Sequence, residues 1–187
     1  MRCNWAGPEE IYIKYHDEEW GVPLHDDKKM FEFFCLEFFQ AGLSWITILK
    51  KRENFRKAFD SFNPERVSKY SQKKIDELME NKGIIRNRLK ILAAINNAQK
   101  YFEIQEEFGS FAKYLWSFVQ GETIQNKFKS MKEVPATSPE SDAMSKDLKK
   151  RGFKFVGSTI CYALMQATGM VNDHLEDCFR YKKLKNP

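Results

Sequence analysis

Signals that begin and end helices recur along almost the whole chain, and signals typical of strands are scarce. Asp26 precedes an apolar-periodic segment that we expect to be helical over residues 28–39. Ser44 begins a second predicted helix over residues 45–59, and Asn63 precedes a proline suited to the first helical position. A chain with so many helix start and stop signals can form a core only by packing helix on helix, so we predict an all-α fold.

The second half of the chain continues this pattern. A helix begins at Ser71 and ends before Gly83. A longer helix over residues 86–107 has a predicted apolar face made of Leu89, Leu92, Ile95, Ala98 and Phe102. Further helices are expected over residues 110–119, 138–151 and 158–167, and residues 120–137 are the least regular stretch. At 187 residues the chain forms either one domain over residues 1–187 or two helical lobes that share a core.

Composition and charge limit the cellular compartments and binding partners that we expect for the protein. The net charge is +5, from 31 Lys plus Arg against 26 Asp plus Glu, which permits attraction to phosphate without demanding it. The sequence has no run of about 18 apolar residues to span a bilayer, and its start lacks an apolar secretion signal. We therefore expect a cytoplasmic protein without a membrane partner, whose four cysteines are thiols or metal ligands and not disulfides.

Two Cys–His pairs, one near each end of the chain, form a candidate metal site. Cys3 and His16 lie near the N-terminus, and a helix would place His174 and Cys178, four residues apart, on one face. Two thiolates and two imidazoles favour a closed tetrahedral zinc site that joins the two chain ends. The alternative is two unrelated pairs whose thiols are buried as small apolar groups. His25 has no cysteine near it in sequence and is expected on the surface.

A short turn bounded by Gly152 and Gly157 separates the last two long predicted helices. A helix–turn–helix unit of this kind can aim backbone N–H groups at a DNA phosphate, aided by the dipole of the second helix. The positive charge is concentrated around this turn, at Lys146, Lys149, Lys150, Arg151 and Lys154. The alternative is an αα-hairpin with a solvated basic face. Phe153 and Phe155 favour a turn that apolar anchors hold in shape.

Glu37 lies in a run of residues, 33–39, that is apolar on nearly every side. A carboxylate there either occupies a pocket or points out through a gap between helices. The aromatic residues that accompany it in sequence or in the N-terminal segment are Trp5, Tyr12, Tyr15, Trp20 and Trp45. Rings around an acceptor suit a flat, electron-poor, cationic guest. The alternative is one solvent-facing glutamate on an amphipathic helix.

Several long motifs of this chain resemble one known family. They are Cys3-x-Trp5, Tyr12-Ile13-x-Tyr15-His16-Asp17-x-Glu19-Trp20-Gly21-Val22-Pro23, Leu36-Glu37-x-x-Gln40-Ala41-Gly42-Leu43-Ser44-Trp45, Lys149-Lys150-Arg151-Gly152-Phe153-Lys154-Phe155-Val156-Gly157 and Val171-Asn172-Asp173-His174-x-x-x-Cys178. In this order, and over essentially the whole chain, they are similar to the constitutive bacterial 3-methyladenine DNA glycosylase I family, of the helix-hairpin-helix superfamily. The resemblance implies that fold and a role in base excision repair. The implied enzyme flips 3-methyladenine out of double-stranded alkylated DNA and excises it by hydrolysis, leaving an abasic site without lyase activity.

The resemblance also implies roles for individual residues. The implied ligands of one structural zinc ion are Cys3, His16, His174 and Cys178. The implied base pocket has Glu37 as its carboxylate and, for stacking and hydrogen bonding, Trp5, Tyr12, Tyr15, Trp20 and Trp45. The implied DNA contacts are Gly42 and Leu43, in a loop that replaces the extruded base, and the hairpin residues Gly152, Phe153, Lys154 and Gly157. We expect a monomer that associates with the nucleoid when it acts on DNA.

One position departs from the wider superfamily, in which an aspartate shortly after the second helix of the motif serves as the catalytic carboxylate. Asn172 occupies that place here and Asp173 lies one residue away, so we do not expect an aspartate to have this role. The main alternative to an enzyme is a helix-hairpin-helix protein that binds DNA without catalysis. A zinc-stapled scaffold that binds proteins is a second alternative. A zinc hydrolase is weaker still, because four protein ligands leave no open position on the metal.

Overall fold

The computed structural model describes residues 1–185, and this part of the chain is mostly helical. Its α-helices are α1 (Glu10–Glu18), α2 (Asp27–Gln40), α3 (Trp45–Ala58), α4 (Pro64–Val67), α5 (Gln72–Glu80), α6 (Arg88–Phe108), α7 (Phe111–Ser117), α8 (Pro139–Lys150), α9 (Ser158–Ala167) and α10 (Phe179–Lys185). Short 3-10 helices lie at Asn4–Ala6 and Asp60–Phe62. Two strands of two residues each, β1 (Ile124–Gln125) and β2 (Val171–Asn172), pair in parallel.

Most predicted helices begin where the capping signals place them. Asp26 accepts a hydrogen bond from the backbone of Lys29 at 2.8 Å and so caps α2. Asn63 and Ser71 cap α4 and α5 in the same way. Ser138 forms a capping box at the start of α8. The predicted fold class is therefore confirmed for the bulk of the chain, because local capping chemistry was enough to place these helices.

The predicted apolar face of α6 is wrong at three of its five positions. Leu89 is 68% exposed, and Leu92 and Phe102 are each 40% exposed. The buried residues of this helix include Ile91, Ala93, Ala94, Tyr101 and Ile104, together with the correctly predicted Ile95 and Ala98. Apolar residues at helical spacing cover two faces of α6, and only packing against α2, α4 and α7 decides which face is inside.

Three local features of the structure go beyond what the sequence predicted. The segment that carries His174 and Cys178 is a turn before α10 and not a helix. The irregular stretch 120–137 contains β1, which pairs with β2 near the end of the chain, a contact that no local pattern encodes. Helix α1, with few capping signals, was not predicted. In the described residues no helix combines the length and the apolarity that crossing a bilayer requires.

Helix α2 lies at the centre of the core. Every residue from Met30 to Phe39 on it is buried, including two glutamates. Glu32 accepts hydrogen bonds from Arg52 at 2.8 Å and from Arg56 at 2.8 and 3.0 Å, so its charge is compensated. Glu37 lies on the side of α2 that faces α1, α3 and α9. The fold therefore has a central helix that is enclosed from Met30 to Phe39 and carries one paired and one unpaired acid there.

Gly169 allows the segment after α1 to approach the end of α9 closely. Its backbone has φ +74°, and a Cβ atom there would lie 2.5 Å from the nitrogen of Pro23 and 2.6 Å from the carbonyl carbon of Val22. Backbone hydrogen bonds from Gly21 to Gln166 and from Leu24 to Thr168 hold the two segments together. This close approach places Trp20 beside α9.

We expect Gly169→Ala to lower the free energy of unfolding by more than the strain of an alanine at positive φ accounts for. Gly121→Ala is the matched control, because Gly121 has φ +79° and a Cβ atom there meets nothing within 4 Å. The control should lose about 1–2 kcal/mol through left-handed strain alone. Gly169→Ala should lose about 1–3 kcal/mol more through the clash. Urea unfolding measures both, and equal losses would contradict the close approach.

Candidate functional site

A cavity of about 190 Å³ opens beside α2, at a point where α1, α3 and α9 meet it. The residues that line it are Trp5, Tyr12, Tyr15, Trp20, Glu37, Gln40, Trp45, Met131, Ala163 and Gln166. Pockets for drug-sized ligands are usually about 300–1,000 Å³, so this cavity suits a single small ring system. The structure thus brings all six sequence-predicted pocket residues to one place.

Aromatic rings form most of the cavity wall and support one another. The ring centroids of Trp5 lie 5.1 Å from Tyr12 and 4.8 Å from Trp20. The ring centroids of Tyr15 and Trp45 are 5.4 Å apart, and Tyr15 also lies 6.3 Å from Trp5. The indole N–H groups of Trp5 and Trp45 have no hydrogen-bond partner in the described chain. Tilted and edge-to-face packing holds these rings in place around the cavity that they line, whereas the two indole N–H groups are buried.

Glu37 has a buried carboxylate without a compensating charge. Its side chain is 4% exposed, and no residue in the range 1–185 donates a hydrogen bond to it. Burial raises the pKa of Glu37 to about 8. Burial, followed by the nearby charge of Glu37, also raises the pKa of Tyr15. An unpaired buried acid in a cavity is costly for folding and is typical of a functional site.

The four predicted metal ligands form one buried cluster. The ligand atoms of Cys3, His16, His174 and Cys178 all lie within 4.8 Å of one another. His174 Nδ1 is 3.7 Å from the Cys3 sulfur and 3.6 Å from the Cys178 sulfur, and His16 Nε2 is 3.5 Å from the Cys178 sulfur. The arrangement can hold a metal ion between the two ends of the chain.

The outer nitrogen of each histidine is also occupied, which orients both rings toward the cluster. His16 Nδ1 contacts Asp17 at 2.7 Å, and His174 Nε2 contacts the backbone oxygen of Trp20 at 3.0 Å. A hydrogen bond from Cys3, with bonds from both histidines, lowers the pKa of the Cys178 thiol. Metal-binding histidines commonly have such outer partners. The hydrogen bonds within the cluster also favour the thiolate form of Cys178.

The turn between α8 and α9 is fixed to α6 by a buried asparagine. Asn97 donates to the backbone oxygen of Lys154 at 3.0 Å and accepts from its N–H at 2.8 Å. Phe153 is 3% exposed and packs on Phe34 and Phe111, so only its backbone can meet a ligand. The turn is therefore rigid, as the apolar anchors predicted.

This turn presents unpaired backbone donors and free positive charge. The N–H groups of residues 155–160 donate to no acceptor in the described chain, and α9 has no side-chain cap. Lys154 is exposed, as are Lys146, Lys149 and Lys150 on α8. Arg151, by contrast, is paired with Glu107 and Asp147 at 2.6 and 2.7 Å, so it does not belong to the free basic surface.

The loop after α2 places an apolar side chain at the surface near the cavity. Leu43 is 40% exposed, and Gly42 before it has φ +83°. Lys90 is 5% exposed and donates to the backbone oxygens of Phe39 at 2.8 Å and Ala41 at 2.7 Å. This buried ammonium fixes the end of α2 and with it the base of the loop. His25 lies exposed on a different surface, against Trp116.

Comparison with known proteins identifies the family of this chain. A sequence model of the methyladenine glycosylase family matches residues 5–181. The chain is 49% identical over 180 residues to DNA-3-methyladenine glycosylase 1 of Escherichia coli (strain K12), covering 96% of each chain. This chain belongs to the methyladenine glycosylase family. The resemblance predicted from the motifs is confirmed.

Solved structures of the family have the same fold as this chain. A crystal structure of 3-methyladenine DNA glycosylase I superposes with a TM-score of 0.93 at 51% identity, covering 96% of this chain and 98% of the other. A crystal structure of a variant of 3-methyladenine DNA glycosylase I in complex with 3-methyladenine gives a TM-score of 0.92 at 38% identity, covering 95% and 96%. The fold is therefore shared over nearly the whole length of these proteins.

Four cavity residues were not predicted from the sequence. Gln40 follows Glu37 by one turn of α2, and Met131 comes from the irregular stretch before α8. Ala163 and Gln166 lie on α9, whose composition is otherwise mostly apolar. A lone amide in an apolar core helix is a signal that sequence reasoning could have used. Asn172 and Asp173, which follow α9, are both buried, and neither lines the cavity.

We expect Glu37→Gln to stabilise the fold at alkaline pH. The pKa of Glu37 rises from 4.5 to about 8 on folding, so the unfolded chain gives up this proton at lower pH than the folded protein. As pH rises from about 4.5 to about 8, wild type therefore loses stability relative to the variant. The loss is about 1.4 kcal/mol for each pH unit in this window.

Urea unfolding of both proteins at pH 4 and pH 9 measures this difference. The two should have similar free energies of unfolding at pH 4, and Glu37→Gln should exceed wild type by several kcal/mol at pH 9. Glu122→Gln makes the same change at an exposed carboxylate and is the control. If Glu37→Gln gains nothing at pH 9, the carboxylate has a partner in solution.

Proposed function

We propose that this protein is a DNA repair glycosylase that excises 3-methyladenine from alkylated double-stranded DNA by hydrolysis of the N-glycosidic bond. The unpaired Glu37 carboxylate in a cavity walled by aromatic rings is the observation that carries the proposal. The membership of the chain in the methyladenine glycosylase family supports it. The product is an abasic site in base excision repair.

The chemistry of the lesion explains why this site needs no strong acid. Methylation at N3 leaves the base cationic, which weakens its glycosidic bond and makes the base a good leaving group. The protein must then extrude the nucleotide, select the base and match its charge. Rings such as Trp5 and Trp45 attract a desolvated cation by up to about 2 kcal/mol per good contact. An uncharged normal base gains neither this attraction nor that of the carboxylate.

Glu37 has two roles in this mechanism. As a carboxylate it accepts hydrogen bonds from the edge of the cationic base, and the cation in turn favours the ionised form of a group whose pKa is about 8 in the free protein. Its charge also stabilises the positive charge that develops on the sugar as the bond breaks. No lysine lines the cavity in the described chain, and we propose release by water without strand cleavage.

The turn between α8 and α9 and the loop after α2 make the contacts with DNA. A phosphate fits the unpaired N–H groups at the start of α9, where the helix dipole adds attraction, and Lys154 lies beside them. The rigid backbone of Gly152, Phe153 and Gly157 shapes this helix-hairpin-helix contact. Leu43, with the left-handed Gly42 before it, enters the duplex and fills the space that the flipped base leaves.

We propose that the buried Cys–His cluster holds one structural zinc ion. Tetrahedral zinc with bonds of about 2.0–2.3 Å separates its ligands by about 3.3–3.8 Å, and three of the four sulfur–nitrogen distances are 3.5–3.7 Å. Two thiols and two imidazoles with fixed outer partners are a typical zinc donor set. When bound, the ion stabilises the fold and leaves no open position for catalysis.

The remaining expectations follow from this assignment. The buried core is continuous from Tyr15 on α1 to Val171 on β2, which supports one domain. We propose that the protein acts as a monomer in the cytoplasm, at the nucleoid when it repairs DNA.

Release of free bases from DNA treated with a methylating reagent tests the function. Wild type should release 3-methyladenine and no 7-methylguanine, as chromatography of the supernatant will show. Glu37→Gln should slow this release about 100-fold or more, with duplex affinity nearly unchanged. Glu122→Gln, at an exposed site, should act like wild type. A protein that binds DNA with salt-sensitive affinity but releases no base would be the non-catalytic alternative.

Metal analysis tests the zinc centre. Purified wild type should contain one equivalent of zinc, and Cys178→Ser should lose it together with several kcal/mol of stability. Cys161→Ser is the control, because Cys161 is also buried but its sulfur contacts only the backbone oxygen of Val156, at 3.7 Å. Full zinc content in Cys178→Ser, or none in wild type, would refute the zinc site.

A further inference from the structure

Gln166 is a polar cavity residue that the mechanism above does not use. It lies near the end of α9, three residues after Ala163, and both side chains face the cavity. Its backbone oxygen accepts from the N–H of Gly21 at 3.1 Å, which places Gln166 beside Trp20. Gln166 therefore approaches a bound base from a different helix than Glu37, which lies on α2.

Asp173 determines which end of the Gln166 amide faces the cavity. Gln166 Nε2 donates to Asp173 Oδ2 at 2.8 Å. The same carboxylate accepts from the Tyr162 hydroxyl at 2.7 Å and from Asn126 Nδ2 at 2.6 Å. With three donors around it, Asp173 acts only as an acceptor, so the amide cannot rotate to present its oxygen to Asp173.

The other end of this amide has no partner. No group in residues 1–185 donates to Gln166 Oε1, and this oxygen remains accessible from outside the protein interior. A carbonyl oxygen that borders a cavity and lacks a donor is an open acceptor. Its orientation is set before a ligand arrives, because the nitrogen of the same amide is already bound.

We propose that Gln166 is a specificity-determining residue whose Oε1 accepts a hydrogen bond from the exocyclic amino group of the excised base. This inference rests on the proposed glycosylase function. Adenine has an amino donor at C6, whereas guanine has a carbonyl acceptor there. An acceptor fixed opposite that edge forms a favourable hydrogen bond with 3-methyladenine. With 3-methylguanine the same acceptor faces a second oxygen, which disfavours binding.

A purely structural role of Gln166 does not explain why its oxygen lacks a donor. Asp173 retains two other donors when Gln166 is replaced. Gln105 makes a similar amide–carboxylate hydrogen bond away from the site and serves as a comparison. Gln105 Nε2 also donates to a carboxylate, Asp27 Oδ2 at 3.0 Å, and Gln105 does not line the cavity. If only the amide–carboxylate bond matters, the same substitution at both glutamines should have the same consequences.

The test compares Gln166→Met with Gln105→Met on methylated DNA. Methionine keeps the length of the side chain and removes the oxygen. Gln166→Met should release 3-methyladenine at least tenfold more slowly, and the share of 3-methylguanine among the released bases should rise. Gln105→Met should keep the wild-type rate and share. Thermal unfolding of both variants measures the loss of the structural bond separately from selectivity.

A second variant covers the case in which Gln166→Met folds poorly. Gln166→Glu in its neutral form donates from one oxygen to Asp173 and keeps the other as an acceptor toward the cavity. It should retain the wild-type preference for 3-methyladenine. A share of 3-methylguanine that does not rise in folded Gln166→Met, or that rises equally in Gln166→Glu, overturns the inference. If wild type itself releases no base, the proposed function fails instead.

Discussion

The enclosure of α2 on every side is the constraint on which the rest of the structure depends. A helix buried from Met30 to Phe39 has no face on which a charge can reach bulk water. Two glutamates lie on it in opposite environments. Glu32 accepts hydrogen bonds from two arginines, whereas Glu37 has no donor in the described chain. The two arginines compensate the charge of Glu32 within the fold, while the unpaired Glu37 retains its attraction for a positive guest.

The Cys–His cluster and the cavity share their supporting residues, so the chain ends and the site are organised together. His16 follows Tyr15 directly, and His174 contacts the backbone oxygen of Trp20. The ring of Trp20 also lies 4.6 Å from that of His174. A metal ion that draws the two termini together would therefore fix one wall of the cavity as well. The segment held against Gly169 fixes the same wall from the other side.

The charges of the protein are divided between two places with opposite roles. Exposed lysines and unpaired N–H groups surround the turn before α9, where a polyanion can bind. The cavity instead presents carboxyl and carbonyl oxygens between aromatic faces, which suits a cation. Arg151 belongs to neither, because its charge is used within the fold. Asp173 also serves the fold, since its three donors are all protein groups.

Capping residues and motifs determined much of this protein from the sequence alone, because caps act within one turn of a helix. Asp26, Asn63, Ser71 and Ser138 begin helices where predicted, and six cavity residues and the four cluster residues were named in advance. Only the tertiary structure decided which face of α6 is inside, since Leu89 and Ile91 are equally apolar and packing alone distinguishes them. It also decided the β1–β2 pairing and the placement of Gln166 beside Asp173. These contacts depend on how distant segments pack, and no local pattern records which partner a side chain will meet.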